Sequence, residues 1–194
     1  MSDAADSSGV PEQVLQARER AKLIVSADAV EFAIDQIAVR LAAVLAEKNP
    51  LLLCVMNGGL PYTAELARRL QFPLQLGYVH VGRYGTATQG GTLEWMVQPS
   101  IDVSGRHVLF VDDILDEGVT LMELVRWARG AGASGVTSTV LVEKDAPRAE
   151  KVVVDYPAMQ CPDRYLIGCG MDYQGYWRNL PGIYALPGDM VDAR

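Results

Sequence analysis

The sequence predicts an α/β fold with a mostly parallel central sheet, because segments typical of strands alternate along the chain with segments typical of helices. Two strands are predicted from short continuous apolar runs, LLLCVM at 51–56 and HVLFV at 107–111, which suit strands covered on both faces. VTSTVLV at 136–142 is predicted as a third strand. The chain has 194 residues, a natural size for one domain, and contains neither an internal repeat nor a dividing linker.

The first part of the chain is predicted to be a tail followed by a helix. Residues 1–10 are polar and acidic and are expected to be disordered. Asp28 and Glu31 resemble a capping box with the aspartate in the cap position, and Asn49-Pro50 is expected to end the helix. Between these limits apolar residues recur at the helical spacings of three and four, at Val30, Ile34, Ile37, Leu41 and Val44.

Turn residues mark the connections that follow the first buried strand. NGGLP at 57–61 is expected to form a tight turn, and Pro61 suits the first turn of a helix that continues to about Leu70. Residues 74–80 alternate loosely and are predicted as a strand. Between residues 82 and 92 there are four glycines and three threonines, which predicts a mobile loop rather than a core element.

The second half of the chain continues the alternation. GAGASG at 130–135 is expected to close a helix, and two further strands are predicted in KVVVDY at 151–156 and DRYLIGCG at 163–170. The helix that precedes GAGASG is indicated by one apolar face, formed by Leu121, Leu124, Val125 and Ala128.

Composition and charge argue against several classes of protein. The 24 acidic residues outnumber the 17 basic ones, and the formal net charge of −7 argues against broad binding of nucleic acids or anionic membranes. The N-terminal residues have neither a basic start nor an apolar stretch, and no run approaches the roughly 18 apolar residues of a membrane helix. Three cysteines without CxxC spacing favour reduced thiols, with Cys54 buried. We therefore expect a cytoplasmic protein.

The segment VLFVDDILDEGVTL at 108–121 carries the strongest functional signal. Ligands of open α/β sheets lie beyond the C-terminal ends of the strands, where this strand leads into a helix. The N–H groups at a helix start bind phosphate, and a glycine such as Gly118 lets the backbone approach it closely. Asp112, Asp113 and Asp116 suit sugar hydroxyls and a divalent cation instead. The chemistry indicates a phosphorylated sugar with a metal; a solvated acidic turn and a receiver-type phosphoryl-acceptor pocket are alternatives.

This segment resembles the phosphoribosyl diphosphate motif of type I phosphoribosyltransferases. The pattern is four apolar residues, two acids, two apolar residues, Asp, any residue, Gly, any residue and Thr. From about Leu51 to Tyr184 the chain is similar to the hypoxanthine-guanine branch of that family. The resemblance implies a Mg²⁺-dependent transferase of purine salvage. It would join hypoxanthine or guanine to phosphoribosyl diphosphate, giving IMP or GMP and pyrophosphate.

The resemblance also implies a type I phosphoribosyltransferase fold, with helices flanking the central sheet. Residues 11–194 would form a single domain. Its small hood would be built from the N- and C-terminal segments, about 11–27 and 160–194, and its lid loop would span about 82–95. Members of the family form homodimers or homotetramers, so self-association is expected as well.

The acids of the motif receive distinct roles from the resemblance. Asp112 and Asp113 correspond to the pair that holds the ribose hydroxyls and the metal, and Asp116 corresponds to the general base near purine N7. The transition state resembles an oxocarbenium ion, so an acid-rich pocket suits the positive charge that develops on the ribose. The cradle for the 5′-phosphate corresponds to Asp116, Glu117, Gly118, Val119 and Thr120.

A second group of residues corresponds to the pyrophosphate site. Asn57, Gly58 and Gly59 match the loop whose backbone N–H groups point at the anion. An ordinary strand-to-helix turn is the alternative interpretation of the two glycines. Arg178 matches the arginine that contacts the pyrophosphate.

A third group corresponds to the purine site. Lys144, in VEKDAPR at 142–148, matches the lysine that donates to the 6-oxo group and would favour guanine and hypoxanthine over adenine. Tyr165 matches the aromatic that stacks on the purine, and Leu166 would offer its carbonyl to the ring edge. Asp172 belongs to the same purine-binding segment and would support a second Mg²⁺. A solvated lysine and a core aromatic are the structural alternatives for Lys144 and Tyr165.

The lid and the phosphate contacts depart in part from the family pattern. Tyr84 matches the tyrosine of the lid, whose closure would exclude water, but Arg83 precedes it where a serine is common. Asn57 stands where many relatives have lysine, Glu117 replaces a small hydroxyl residue, and Val119 replaces a frequent lysine. We expect these differences to alter phosphate affinity more than reaction type.

Two other functions remain open from the sequence. A xanthine-preferring enzyme would use the same chemistry, because the extra 2-oxo group is read mostly by backbone atoms. A non-catalytic regulator on the same fold would sense nucleotides or phosphoribosyl diphosphate and bind nucleic acid. The net charge of −7 gives no sign of the basic face that such a regulator needs, and the presence of Asp116 and Lys144 favours an enzyme.

Overall fold

The computed structural model describes residues 9–83, 93–146 and 152–191. These residues form two β-sheets, four α-helices and one short 3₁₀ helix. In chain order the elements are α1 (Glu12–Arg20), β1 (Lys22–Val25), α2 (Ala27–Leu45), β2 (Leu51–Met56), α3 (Leu60–Arg69), β3 (Gln75–Arg83), β4 (Leu93–Val97), β5 (His107–Leu115), α4 (Val119–Gly130), β6 (Gly135–Asp145), β7 (Tyr156–Pro162), β8 (Leu166–Ile167), β9 (Ile183–Ala185) and the 3₁₀ helix Gly188–Met190.

The central sheet has six strands in the order β4-β3-β2-β5-β6-β7. Each neighbouring pair is parallel except β3 and β4, which are antiparallel, with β4 as the outermost strand. The parallel strands therefore end at one edge of the sheet, where open α/β sheets bind their ligands. The predicted α/β class with a mostly parallel sheet is confirmed.

Apolar side chains cover both faces of the sheet, which explains why its inner strands are continuous apolar runs. On one face Leu52, Leu109 and Val111 belong to a core cluster with residues of α2 and α3. On the other face Leu51 and Phe110 belong to a cluster with residues of α4. Burial of this apolar surface away from water stabilises the sheet, and the sheet in turn positions the polar residues at the ends of its strands.

The hood is a small sheet in the order β1-β9-β8, so it joins the N-terminal and C-terminal parts of the chain. Trp177 Nε1 donates to the carbonyl of Val14 at 2.7 Å, which holds α1 against the C-terminal segment. Arg20 also pairs with Asp189 at 2.8 Å. The hood from both terminal segments agrees with the expected fold class, although β1, β9 and α1 were not individually predicted.

The predicted helix after Asp28 is present, but its cap was assigned to the wrong residue. α2 begins one residue earlier, at Ala27, and Ser26 Oγ accepts a hydrogen bond from the N–H of Ala29 at 3.3 Å. Ser26 has the extended backbone of a cap residue, whereas Asp28 lies in the first turn, where an acid is favoured by the helix dipole.

Several strand boundaries also differ from the prediction. β5 continues through Asp112 and Asp113 to Leu115, because it pairs with β6 along this length, so the acids do not lie in a turn. Residues 152–155 are not a strand; β7 begins at Tyr156. The predicted loop at 82–95 is bounded by paired strands, since β3 extends to Arg83 and β4 begins at Leu93.

All three cysteines are buried and unpaired, as expected for reduced thiols. Within residues 9–83, 93–146 and 152–191, no helix is long and apolar enough to cross a membrane.

Candidate active site

The predicted site residues gather where β2, β5 and β6 end. Asn57 follows β2 directly, Asp116 follows β5 directly, and Lys144 is the last residue but one of β6. The registers place the ends of these strands beside one another, with Leu115 opposite Glu143. The topology of the sheet therefore brings together side chains that are as far apart in sequence as 57 and 144.

Asp112 and Asp113 are neighbours on β5, so their side chains leave the strand in different directions. Asp113 is 8% exposed, and its backbone N–H donates to Asp112 Oδ1 at 2.9 Å. Burial raises the pKa of Asp112 well above the usual carboxyl range, and the charge of Asp113 raises it further. Burial also raises the pKa of Asp113, while the hydrogen bond with Asp112 and the Arg178 guanidinium act in the opposite direction.

The two glycines after β2 lie against the acid-bearing strand. A methyl group added at Gly58 would lie 2.1 Å from Asp113 Oδ2. One added at Gly59 would lie 2.6 Å from the carbonyl oxygen of Val111 and 2.7 Å from that of Val55. Side chains at either position would therefore overlap the strand, which is why this turn requires glycine.

The C-terminal segment closes over the same glycine turn. Gly170 has φ +107°, and a methyl group there would lie 2.0 Å from the carbonyl oxygen of Gly58. Arg178 donates to the carbonyl of Gly170 at 2.5 Å, and its guanidinium lies 4.0 Å from Asp113 Oδ2. The predicted pyrophosphate arginine therefore lies beside both the glycine turn and the acid pair.

Asp172 forms a close ion pair with this arginine. Arg178 Nη2 lies 2.6 Å from Asp172 Oδ1, and the other carboxylate oxygen accepts from the N–H of Gly175 at 2.6 Å. Arg178 thus bridges Asp172 to Asp113, so two of the three acids that the family resemblance assigns to metal binding face one guanidinium.

The predicted general base and the predicted purine lysine are in direct contact. Lys144 Nζ donates to Asp116 Oδ2 at 2.9 Å. Asp163, just beyond the end of β7, approaches the same ammonium at 3.7 Å. This ion pair is the second polar cluster at the edge, beside the one formed by Asp113, Asp172 and Arg178.

The helix that follows the acids, α4, begins within the segment predicted to bind the 5′-phosphate. Gly118 is the N-cap of α4 and has φ +82°, a conformation that other residues rarely adopt. Val119 and Thr120 form the first turn of α4. Backbone N–H groups at such a helix start point outward and carry partial positive charge, which suits an anion.

The predicted stacking aromatic, Tyr165, packs within the hood. Tyr165 packs against the hood cluster, and its ring meets Tyr173 edge to face with the centroids 6.0 Å apart. Its carbonyl accepts from the N–H of Leu186 at 2.9 Å. Leu166 follows as a buried residue of β8. Both interpretations of Tyr165, a purine contact and a core aromatic, are compatible with this placement.

The expected lid side chains are not described by the structure. Tyr84 falls in the gap between residues 83 and 93, and the side chain of Arg83 is likewise not described. The backbone of Arg83 ends β3, opposite Leu93 on β4. The expected tail at 1–10 and the end of the VEKDAPR segment also fall largely outside the described residues.

The donor set restricts how a metal ion could be held. In the described ranges no group of three or more His, Cys, Asp or Glu side chains converges on a possible metal position. Mg²⁺ is commonly bound through one or two carboxylates together with phosphate oxygens and water. The pair Asp112 and Asp113 fits this second arrangement, in which the substrate supplies the remaining ligands.

Two contacts of this site were missed in the sequence. Asp163 and Gly170 were included only as the first and last residues of the predicted strand DRYLIGCG at 163–170, without a role in the site. The signal for Gly170 was a pair of glycines around Cys169, a spacing typical of backbone with positive φ. Asp163 gave no local signal, because its contact with Lys144 depends on the pairing of β6 with β7.

Comparison with known proteins adds to this geometry. A family model described as a phosphoribosyl transferase domain matches residues 21–174. A hypoxanthine-guanine phosphoribosyltransferase of Streptococcus pneumoniae strain R6 is 32% identical over 166 residues, covering 85% of this chain and 92% of the relative. A hypoxanthine-guanine-xanthine phosphoribosyltransferase of Tritrichomonas foetus is 29% identical over 163 residues, covering 84% and 89%. The solved structure of a Trypanosoma cruzi hypoxanthine phosphoribosyltransferase with its product IMP is 26% identical, with a TM-score of 0.82 and coverage of 88% and 97%.

Proposed function

Because this chain belongs to the phosphoribosyltransferase family, we propose that it is a transferase of purine salvage that makes IMP or GMP. Its substrates would be hypoxanthine or guanine and phosphoribosyl diphosphate, and pyrophosphate would be released. The observation that carries this proposal is the contact of Lys144 with Asp116, beside the half-buried Asp112 and the buried Asp113. A donor for a 6-oxo group, a base for the purine nitrogen and acids for the ribose thus lie at one edge of the sheet.

The phosphosugar would lie along the end of β5, with its two anionic groups on either side of the acids. The 5′-phosphate would bind the helix start at Glu117, Gly118, Val119 and Thr120. The diphosphate would bind the turn Asn57, Gly58 and Gly59, with Arg178 nearby. Asn57 supplies no cation, so Arg178 would be the main positive charge at this position.

The ribose would lie over Asp112 and Asp113, whose oxygens accept from its hydroxyl groups. When Mg²⁺ is bound with the diphosphate, it neutralises charge on the leaving group. Asp112 and Asp113 would hold it together with substrate oxygens, and Asp172 would support a second ion. Since Asp172 is held by Arg178, this role requires the pair to rearrange when the diphosphate binds.

The purine would lie between the Lys144–Asp116 pair and Tyr165. Lys144 would donate to the 6-oxo group, Tyr165 would stack on the ring, and the Leu166 carbonyl would accept at its edge. Asp116 would take the proton from N7 as the new bond to the ribose forms. Tyr84 and Arg83 would close the site as part of the lid and exclude water from the oxocarbenium-like sugar.

The two alternatives from the sequence differ in their support. A relative that uses xanthine as well as hypoxanthine and guanine makes xanthine a possible substrate, and the purine residues named above do not discriminate against its 2-oxo group. A non-catalytic sensor of phosphoribosyl diphosphate would retain the phosphate and ribose contacts. It would have no use for a base in contact with Lys144, so the enzyme is the better interpretation.

The test of this proposal is nucleotide formation from phosphoribosyl diphosphate and Mg²⁺ with hypoxanthine, guanine, xanthine and adenine supplied separately. We expect turnover of hypoxanthine or guanine, no turnover of adenine, and loss of activity on chelation of the metal. Binding of phosphoribosyl diphosphate without turnover of any base would contradict the proposal and support the sensor. A preference for xanthine would correct the substrate but not the reaction.

Self-association and the cellular setting are further proposals. We expect a homodimer or homotetramer of the single domain 11–194, working in the cytoplasm. Leu76 and Tyr78 support self-association, because both are more than half exposed and lie two residues apart on one face of β3. Leu76→Lys is expected to shift the protein toward the monomer in sedimentation velocity. The matched change Val153→Lys, at another exposed apolar residue, should leave the oligomer intact; a Leu76→Lys oligomer of wild-type mass would contradict this location.

A further inference from the structure

Three adjacent parallel strands place charged side chains of alternating sign at the edge of the sheet. Asp116 follows β5, Lys144 lies at the end of β6, and Asp163 follows β7. The register fixes this arrangement, since Lys144 is opposite Cys161 and Asp145 is opposite Pro162, the residue before Asp163. The lysine on the middle strand is therefore flanked by one acid from each neighbouring strand.

The lysine is shielded from solvent while the two acids are not. The Lys144 side chain is 11% exposed, compared with 50% for Asp116 and 55% for Asp163. Its Nζ lies 2.9 Å from Asp116 and 3.7 Å from Asp163. A largely buried ammonium interacts more strongly with nearby carboxylates than an exposed one does, because water screens it less.

We propose that Asp163 is a positioning residue that holds the Lys144 ammonium at the purine site while Asp116 turns to the purine. This inference rests on the proposed function. Asp116 is the closer partner of Lys144 in the structure, but its carboxylate would be needed at purine N7 during the reaction. Lysine has three N–H donors, so Lys144 can donate to the 6-oxo group and remain paired with Asp163 at the same time.

The position of Asp163 in the chain fits this role. It precedes by two residues Tyr165, the aromatic that we place against the purine ring. The same short segment would therefore contribute the stacking ring and anchor the lysine that reads the 6-oxo group. An acid here affects recognition of the base, whereas the phosphosugar contacts lie at β2, β5 and α4.

The test is steady-state kinetics of Asp163→Asn with hypoxanthine and with phosphoribosyl diphosphate varied separately. We expect KM for the base to rise about fivefold, the effect of losing one moderately exposed ion pair. Since Lys144 would contact the base both before and in the transition state, kcat should change little, as should KM for phosphoribosyl diphosphate. Asp163→Glu should restore KM for the base, because it returns the carboxylate. Asp189→Asn, which removes another exposed acid of an ion pair, should have wild-type kinetics.

A double-mutant cycle identifies Lys144 as the residue through which Asp163 acts. In a Lys144→Gln background, Asp163→Asn should not raise KM for the base further. The inference is overturned if Asp163→Asn has wild-type KM for the base, if kcat falls instead, or if the two substitutions add independently. Absence of turnover in the wild-type protein would contradict the proposed function itself, so the two failures are distinguishable.

Discussion

Replacing Asp116 with asparagine is expected to lower turnover about 10²- to 10⁴-fold, the usual cost of removing one acid–base contribution. Asparagine keeps the size of the side chain and an oxygen that accepts from Lys144, so the fold and the ammonium contact can be retained. It cannot take a proton from the purine. The effect should therefore fall on kcat, with phosphoribosyl diphosphate still bound through the helix start and the glycine turn.

The measurement combines initial rates with direct binding of phosphoribosyl diphosphate by calorimetry. Asp35→Asn is the matched control, because Asp35 is similarly exposed, pairs with Arg69 and lies on α2 away from the strand ends. Its rate should equal that of the wild type. Wild-type turnover in Asp116→Asn would remove Asp116 from the mechanism, and loss of phosphoribosyl diphosphate binding would show that its role is structural or electrostatic at the sugar.

The contact between Asp116 and Lys144 also predicts how these two residues depend on one another. In the structure each is the other's ion-pair partner, and both are proposed to turn to the purine. In the proposed mechanism, binding of the base would therefore exchange a direct ion pair for two contacts with the ligand. Asp163 would make this exchange less costly, because the ammonium would keep one carboxylate nearby.

Much of the central sheet could be predicted from the sequence because its signals are local. A continuous apolar run such as 51–56 indicates burial on both faces, and the run 108–111 likewise indicates a buried strand. The end of β5 was wrong because pairing with β6 extends the strand through Asp112 and Asp113. Polar residues in a strand are unfavourable locally, and the pairing that overrides this preference comes from residues about 28 positions later.

The hood and Asp163, the second partner of Lys144, could not be predicted from the sequence for the same reason. β1 is only four residues long and has mostly exposed side chains, so neither length nor apolar pattern marks it as a strand. It forms because β9, some 160 residues further along, pairs with it. Asp163 likewise becomes a site residue only through the register of β6 with β7. Motif resemblance located the residues on β2, β5 and β6, but these long-range pairings had to come from the structure.

Gly58→Ala is expected to lower turnover about 100-fold without unfolding the protein, the scale of loss that accompanies a displacement of about 1 Å at a reacting centre. The added methyl group would lie 2.1 Å from Asp113 Oδ2 and 2.5 Å from its Cγ. Either the carboxylate turns away from the ribose position or the diphosphate turn moves outward. The φ of Gly58 is not positive, so the backbone itself tolerates alanine and the damage is confined to the contact.

Initial rates and thermal unfolding, measured together, separate this effect from misfolding. Gly130→Ala is the control, because a methyl group there would meet nothing within 4 Å. It should have the rate and unfolding midpoint of the wild type. In an Asp113→Ala background, Gly58→Ala should cost little further activity, because the overlapping carboxylate is gone. If the losses of activity from Gly58→Ala and Asp113→Ala multiply independently, the damage lies in the diphosphate turn instead. A Gly58→Ala enzyme with wild-type activity would show that turnover does not depend on the present position of the Asp113 carboxylate.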